Sequence, residues 1–540
     1  MRLVCNGRFA ALLFCFLICI ACGDVYRPTI IPNPVQPPDP KNFHTIFTVN
    51  QNGATNPGTG MQVDVSGDSS DGVTRVAMMP VHAALQGAHV WVANNLSDSV
   101  SVFTTALGSS IPIGASTNVN LPPGAHPVFV HSTETSTMYV ANSGRFSDTS
   151  FTPPESYYII DAINTTSNVI SSEVRVTQGT PTALAETPDG QKLYVISRDD
   201  PGATPAKQGG VTVISTVDKT IIDALPAGLS PRWAVVRSDG ARVYVLSHDD
   251  GAVTTINSSV IPDQVIGSTP VGAGADFLYY DSRRNRLYIP NPTTNNVIIL
   301  DATVDPPATL ATIDLTAPIP AGGGAPCPAS GCSPVSVAAL PDGTRAYIAS
   351  YYIDSTSANC QQTPCFQAQV TVVDELTNQV TKSIPLPQVS VSSMGNCASA
   401  RFRVSAAVAF DGSRVYVSSC DAGGVSSINP AGDQYFAAIP APGSSFAPTL
   451  LNITAAVQNG SQTTYSYTYD PNSGTPIFLG MIVTITNLSQ AVDNGAFTVL
   501  GLGNGTFTVN NPGGQSTSNE NGTGLGQPPP QNPVFALSGS

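Results

Sequence analysis

Short apolar runs separated by Gly-, Pro-, Asn- and Asp-rich turns fill this chain from about residue 45 onward, a pattern that predicts many short strands. One form keeps returning: an aromatic residue, Val or Ile, a small or polar residue, then Ser or Asn. It reads HVWVANN (89–95), MYVANS (138–143), LYVISRDD (193–200), RVYVLSHDD (242–250), LYIPNP (287–292), AYIASYY (346–352) and RVYVSSCD (414–421). The anchoring aromatics are Trp91, Tyr139, Tyr194, Tyr244, Tyr288, Tyr347 and Tyr416. One unit shows the plan: Trp233–Arg237, the turn Ser238-Asp239-Gly240, then Arg242–Leu246, Ala252–Ile256 and Gln264–Gly267. That makes four strands, with Asp-Gly closing the first hairpin because Gly accepts positive φ at little steric cost. The third strands (SVSVF, YYIID, GVTVI, AVTTI, NVIIL, QVTVV, GVSSI) are nearly continuous in β-branched residues, as expected of sheets packed on both faces.

Seven such units begin near residues 74, 125, 180, 230, 275, 333 and 403. Repeats of roughly 40–60 residues with several strands each point to a propeller. The expected fold is all-β: a seven-bladed β-propeller over 44–443. Eight blades result if the strands at 45–49 and 62–66 pair with Val534–Leu537. Residues 444–526 carry different β runs around DNG and GNG turns and predict a small all-β accessory domain, a sandwich being one form open to it. The tail, 527–540, is Pro-rich and holds the candidate closing strand.

Residues 1–21 read as an export signal: Arg2 and Arg8, then an apolar run from Phe9 to Ala21, too short to span a bilayer. The sequence Cys19-Ile20-Ala21-Cys22 resembles the lipobox of bacterial lipoproteins, which implies lipidation at Cys22; Cys19 departs from the aliphatic residue usual there. Residues 22–43 form a Pro-rich tether. Export makes the remaining cysteines, Cys327, Cys332, Cys360, Cys365, Cys397 and Cys420, candidates for disulfides. The expected pairs are 327–332, 360–365 and 397–420, although six cysteines allow 15 connectivities. Zinc is the rival, but neither short pair has Cys-x-x-Cys spacing.

Composition then removes several function classes. The net charge is −14 and only 11% of residues are charged, with no basic stripe to meet phosphates, so nucleic acid is excluded as a partner. Walker, His-Glu-x-x-His, Cys-x-x-Cys-His and Gly-x-Ser-x-Gly motifs do not occur. No cofactor is expected. The doublets Asp199-Asp200 and Asp249-Asp250 are the only hint of Ca²⁺ or another divalent ion, and loop acids are more often simply solvated.

The repeat as a whole resembles the YVTN family of β-propeller proteins across about 370 residues. That resemblance implies the propeller fold; because related propellers include lactonases, surface-layer proteins and quinoprotein-like sensors, it leaves activity open. Strand order places the loops between second and third strands on one face, with the connections that lead into each next blade. Candidate ligand-binding residues there are His126, Arg198, Asp199, Arg232, Trp233, His248, Asp249, Asp276 and Arg403, joined by Asn94, Asn142, Asn291, Tyr351 and Asp421 from the same loops. Convergence of such groups at the mouth of a rigid ring suits a small polar ligand.

The leading expectation is a non-catalytic, lipid-anchored envelope protein, at the outer membrane or cell surface, binding a ligand or protein partner at its channel mouth. The alternatives are a lactonase-like hydrolase or lyase at the same mouth, and a structural or adhesive surface-layer module that holds envelope protein or glycan.

Overall fold

The computed structural model describes residues 45–53, 57–105, 114–133, 136–357, 360, 363–391, 396–440, 449–469, 477, 481–527 and 532–539. The export segment, Cys22 and the Pro-rich tether lie outside these. Among the described residues no helix is long and apolar enough to cross a membrane.

The repeats fold as antiparallel sheets of four strands, each running from the channel outward in chain order. In the fourth blade the strands are Pro231–Val236, Arg242–Ser247, Ala252–Asn257 and Gln264–Pro270. The Asp-Gly turns work as the sequence predicts, with Gly190, Gly240, Gly343 and Gly412 all at φ between 67° and 71°. Two blades carry an extra short strand, Phe146–Asp148 and Val389–Ser390.

The ring has eight blades, one more than the repeat count. The eighth combines both ends of the domain: Asn532–Ser538 lies innermost and pairs with Thr45–Gln51, followed by Pro57–Asp64 and Ser69–Met78. This blade escapes the count because Phe47 stands where other blades have Tyr or Trp, and because no Asp-Gly turn joins strands from opposite chain ends.

The anchoring aromatics explain how blades hold one another. Each is fully buried, and each tyrosine hydroxyl reaches the turn between the third and fourth strands of the next blade. Tyr194 donates to Asp263 (2.6 Å), Tyr244 to the Ala302 carbonyl (3.2 Å), Tyr288 to Glu375 (3.0 Å), Tyr347 to Asp433 (2.7 Å) and Tyr416 to Asp68 (2.8 Å). The residue two positions before the tyrosine is basic in these five blades, and in four of them it grips the same turn residue. Lys192 joins Asp263, Arg286 the Glu375 carbonyl, Arg345 Asp433 and Arg414 Asp68; in the fifth, Arg242 takes Asp305. Buried hydroxyls and carboxylates thereby satisfy one another, which a tightly packed ring of sheets requires.

The accessory domain is a closed six-stranded barrel rather than a sandwich, in the order Thr449–Asn459, Gln462–Tyr469, Thr506–Asn510, Gly495–Gly503, Ile482–Thr486, Thr517–Gln527. Closure comes from the last strand, which pairs with both Thr449–Asn459 and Ile482–Thr486. Leu451, Ile453, Tyr465, Met481, Val483 and Phe507 fill its interior. The barrel is inserted between Gln434–Pro440, the outer strand of blade seven, and Asn532–Ser538. Arg75 of the eighth blade donates to the Leu500 carbonyl of the barrel (3.1 Å).

Candidate functional site

The channel mouth is built by a repeated irregularity. Several innermost strands carry Pro as their first or second residue and then slip by one residue against their neighbour, at Pro80/His82, Pro127/Phe129, Pro181/Ala183, Pro231/Trp233 and Pro334/Ser336. The closing strand does the same opposite Val49/Asn50. A β-bulge leaves one residue unpaired and re-aims it. The bulged residues Val81, Val128, Thr182, Arg232 and Val534 all line a cavity of about 640 Å³ at the mouth, together with Asp276 from the matching place in blade five and Arg401 from the segment just ahead of the first strand of blade seven, Val404–Val408.

The floor is formed by the residues after four of these bulges and by Phe277 and Phe402, which precede the first strands of blades five and seven. His82, Phe129, Trp233, Phe277, Phe402 and Phe535 make a connected layer of rings across the channel: Phe129–Trp233 is 5.3 Å, Trp233–Phe277 5.1 Å, Phe277–Phe402 5.5 Å, Phe402–Phe535 5.6 Å and Phe535–His82 4.5 Å between centroids. His82 stacks on Phe129 at 3.7 Å; burial, with Arg401 nearby, pushes its pKa well below the usual histidine value, so it is neutral at physiological pH. Beneath this layer a second cavity, about 750 Å³, opens among small residues such as Ala338 and Ala407.

Arg401 sits on the floor. It follows the one-turn helix Asn396–Ser399 in a strap that the Cys397–Cys420 disulfide ties to blade seven. Its guanidinium lies 4.6 Å from the Trp233 ring centre and donates to the carbonyls of Thr182 (2.9 Å) and Arg232 (2.7 Å). Burial lowers its pKa to about 10, Arg232 adds to the lowering, and Asp276 opposes it; it remains a cation at neutral pH. The nearest countercharge in the mouth is Asp276, whose Oδ1 is 3.6 Å from Arg232 Nε. Arg232 Nε is buried without a hydrogen-bond partner. Arg198 lines the same cavity, and its exposed guanidinium has no partner among the described residues.

Of the residues the sequence nominates, the structure brings Arg198, Arg232 and Asp276 together at the mouth. Trp233 belongs to the ring layer beneath. Arg403 is not at the mouth: it forms a two-point ion pair with buried Asp421 (2.6 and 2.9 Å) and covers Tyr351 and Phe366. His126 is held at the rim by Asp98, whose carboxylate accepts from the His126 backbone N–H (2.8 Å). His248 pairs with its neighbour Asp249 (2.6 Å), and the Asp199 carboxylate accepts from the Gly209 N–H. Asn94, Asn142 and Asn291 are fully buried; Asn94 bonds Ser101, Asn142 bonds Asp161 and Asn291 holds the Gly272 and Ala273 carbonyls. They are blade fasteners rather than ligand contacts. Among the described residues no three His, Cys, Asp or Glu side chains converge as a metal-ligand set. All three expected disulfides, 327–332, 360–365 and 397–420, are formed.

Sequence reasoning missed Arg401. The signal was the run of Pro-x-aromatic starts at Pro80, Pro127, Pro231 and Pro533, which Ala275-Asp276-Phe277 and Ala400-Arg401-Phe402 continue without the proline.

No family model and no curated protein matches this chain. Solved structures do resemble it at low identity. Apo AztD from Citrobacter koseri is 12% identical with a TM-score of 0.49, covering 74% of this chain and 95% of that one. The periplasmic gluconolactonase PpgL of Pseudomonas aeruginosa is 15% identical with a TM-score of 0.44, covering 65% and 97%. Kuenenia stuttgartiensis hydrazine synthase is 18% identical with a TM-score of 0.40, covering 61% and 89%. AztD and the gluconolactonase are β-propeller proteins; the fold of this chain rests on its own strand pairing.

Proposed function

We propose that this is an exported, lipid-anchored envelope protein whose propeller binds a small polar ligand at the channel mouth without catalysing a reaction on it. The mouth cavity carries this reading. It is floored by a layer of aromatic rings, walled by bulged residues, and furnished with Arg198, whose guanidinium has no partner among the described residues, and Arg232, whose Nε is buried without a hydrogen bond, the combination of an apolar base and few polar groups typical of ligand sites. Export is supported by the three disulfides, which persist in oxidising compartments, and anchoring by the lipobox-like Cys22. The YVTN-like repeat agrees with the propeller but supplies no activity.

A lactonase-like reading is weaker on the same geometry. Among the described residues the mouth is lined by one carboxylate, Asp276, and no histidine, so these offer neither a paired acid and base nor a ligand set for a metal.

The test is a thermal-shift screen of the full mature chain against small polar metabolites, repeated on Ser143→Trp. Ser143 lines the mouth and is partly exposed, so tryptophan there fills the cavity while leaving the ring layer untouched. Stabilising compounds should lose their effect in the variant. Compounds that stabilise both proteins equally, or none at all, would sink the reading. Separately, Cys22→Ser should move the protein from the membrane to the soluble fraction; unchanged membrane retention removes the anchor.

A further inference from the structure

Resting on that reading of the mouth, we propose that the ligand is a small anion, a carboxylate or phosphate compound held between Arg198, Arg232 and Arg401. The chain as a whole is strongly acidic, at −14, yet its mouth gathers three arginines against one aspartate. The excess of positive charge is local: Arg232 comes from a bulge, Arg198 from the end of the second strand of blade three and Arg401 from the strap.

The three cations differ in what the protein gives them. Arg401 is held by two backbone carbonyls and an indole face. Those partners orient the guanidinium but do not neutralise it, and a cation taken out of water without a paired anion is unfavourable. Arg232 points its Nε toward Asp276 at 3.6 Å, beyond hydrogen-bond distance, and that nitrogen is both buried and unpartnered. Arg198 has no acceptor among the described residues. One negative group entering the mouth would give Arg198 and Arg401 the counter-anion they lack among the described residues, and Arg232 an acceptor beyond its ion pair with Asp276. Guanidinium groups suit it because they offer two parallel N–H donors to a carboxylate or phosphate.

The ring layer adds a second constraint. A ligand bound by its anionic end to these arginines has Trp233 and the rings around it below, and the walls of Val81, Val128 and Val534 beside it. The cavity of about 640 Å³ accommodates a metabolite-sized molecule, not a polymer. Asp276 remains beside the arginines as an acceptor for a hydroxyl or ammonium on the same ligand.

The experiment is isothermal titration of the full mature chain with succinate, inorganic phosphate, glucose and choline. Succinate or phosphate should bind, with affinity falling as NaCl rises; whichever binds more tightly identifies the anion type. Arg198→Gln, a change on an exposed side chain, and Arg232→Gln should each weaken binding about tenfold or more, while Arg175→Gln on the outside of blade two leaves it unchanged. Binding of glucose or choline in preference, abolished by Ser143→Trp, overturns the anion proposal and keeps the mouth as the site. No binding of any of the four overturns the proposal, and it overturns the mouth reading too if the metabolite screen is also empty. Equal anion binding by wild type and Arg198→Gln, with Arg232→Gln folded and unaffected, overturns it as well.

Discussion

The hydroxyl of Tyr416 donates to Asp68 at 2.8 Å across 348 residues of chain. Arg414 Nε takes the other carboxylate oxygen of Asp68 at 2.9 Å. The same basic-x-Tyr grip that joins ordinary neighbours therefore joins blade seven to the blade made from the two ends of the domain. It is a local contact by geometry and a ring-closing one by topology.

Removing this contact should destabilise the ring more than its counterparts do. Asp68→Ala leaves both Arg414 and Tyr416 without their partner in a largely buried place, so a loss of roughly 3 kcal/mol is expected. Tyr244→Phe, which gives up one bond to a backbone carbonyl, should lose about 1 kcal/mol. Urea unfolding of both variants compares them, and limited proteolysis should cut Asp68→Ala first within 45–78. Equal effects would show that the closing contact is energetically ordinary.

Asp161 gives a prediction with a definite sign. It is fully buried, accepts from Asn142 and has one oxygen unpartnered; burial pushes its pKa up to about 7. The unfolded value is lower, about 3.9, so folding favours the protonated form. Its stabilising contribution is full below about pH 4, falls as pH rises toward 7, and stays lost above that. Asp161→Asn mimics the protonated state, so it should gain on wild type as pH rises from 4 to 8, by roughly 1–3 kcal/mol at the upper end. Melting temperatures of both proteins across that range measure it; a constant difference would mean that Asp161 is not protonated in the fold.

The strap over the mouth should respond to loss of its disulfide without loss of the ring. In Cys397→Ser/Cys420→Ser, Arg401 loses the tie that sets its position. Affinity for the anion that binds the wild type is expected to fall about tenfold, with the melting temperature only modestly lowered because the blades keep their own contacts. Unchanged affinity would show that the strap holds Arg401 through Trp233 and the carbonyls alone.

The barrel and the closing strand should separate in a deletion pair. Deleting 444–526 removes a unit with its own closed sheet and core, and the ring is expected to keep a cooperative transition. Truncation after residue 443 also removes Asn532–Ser538, the innermost strand of the eighth blade, and should abolish that transition. Calorimetry of both distinguishes them; a shorter deletion that unfolds as completely as the truncation would make the barrel part of the ring's core.

The ring was legible because its period, its Asp-Gly turns and its β-branched third strands are local signals. Even the eighth blade could be assembled from strands visible at both ends, although Phe47 hides it from a count of tyrosines. The mouth was legible only in part. Arg232 and Asp276 stand 12 residues before their tyrosines, so spacing finds them. Arg401 stands 15 residues before Tyr416 and escapes that spacing, while Arg403, at 13, lies closer to it and spends its charge on Asp421. Arg232 faces the channel because of a one-residue bulge, a feature that hydrophobic pattern does not register. The partner turns gripped by Lys192, Arg286, Arg345 and Arg414 belong to other blades, so sequence shows only half of each contact.

The seam in the eighth blade sets an order of events during synthesis. Thr45–Gln51 leaves the ribosome among the first strands, and the strand it must pair with is among the last. Until then it presents an open edge of unsatisfied N–H and C=O groups, the kind that recruits other chains. Contacts this distant in sequence also form slowly. A chain halted anywhere before residue 532 is an unclosed ring with that edge exposed, so Asn532–Ser538 acts as a completion signal, and only molecules that carry it can hide the strand edge that Thr45–Gln51 leaves open.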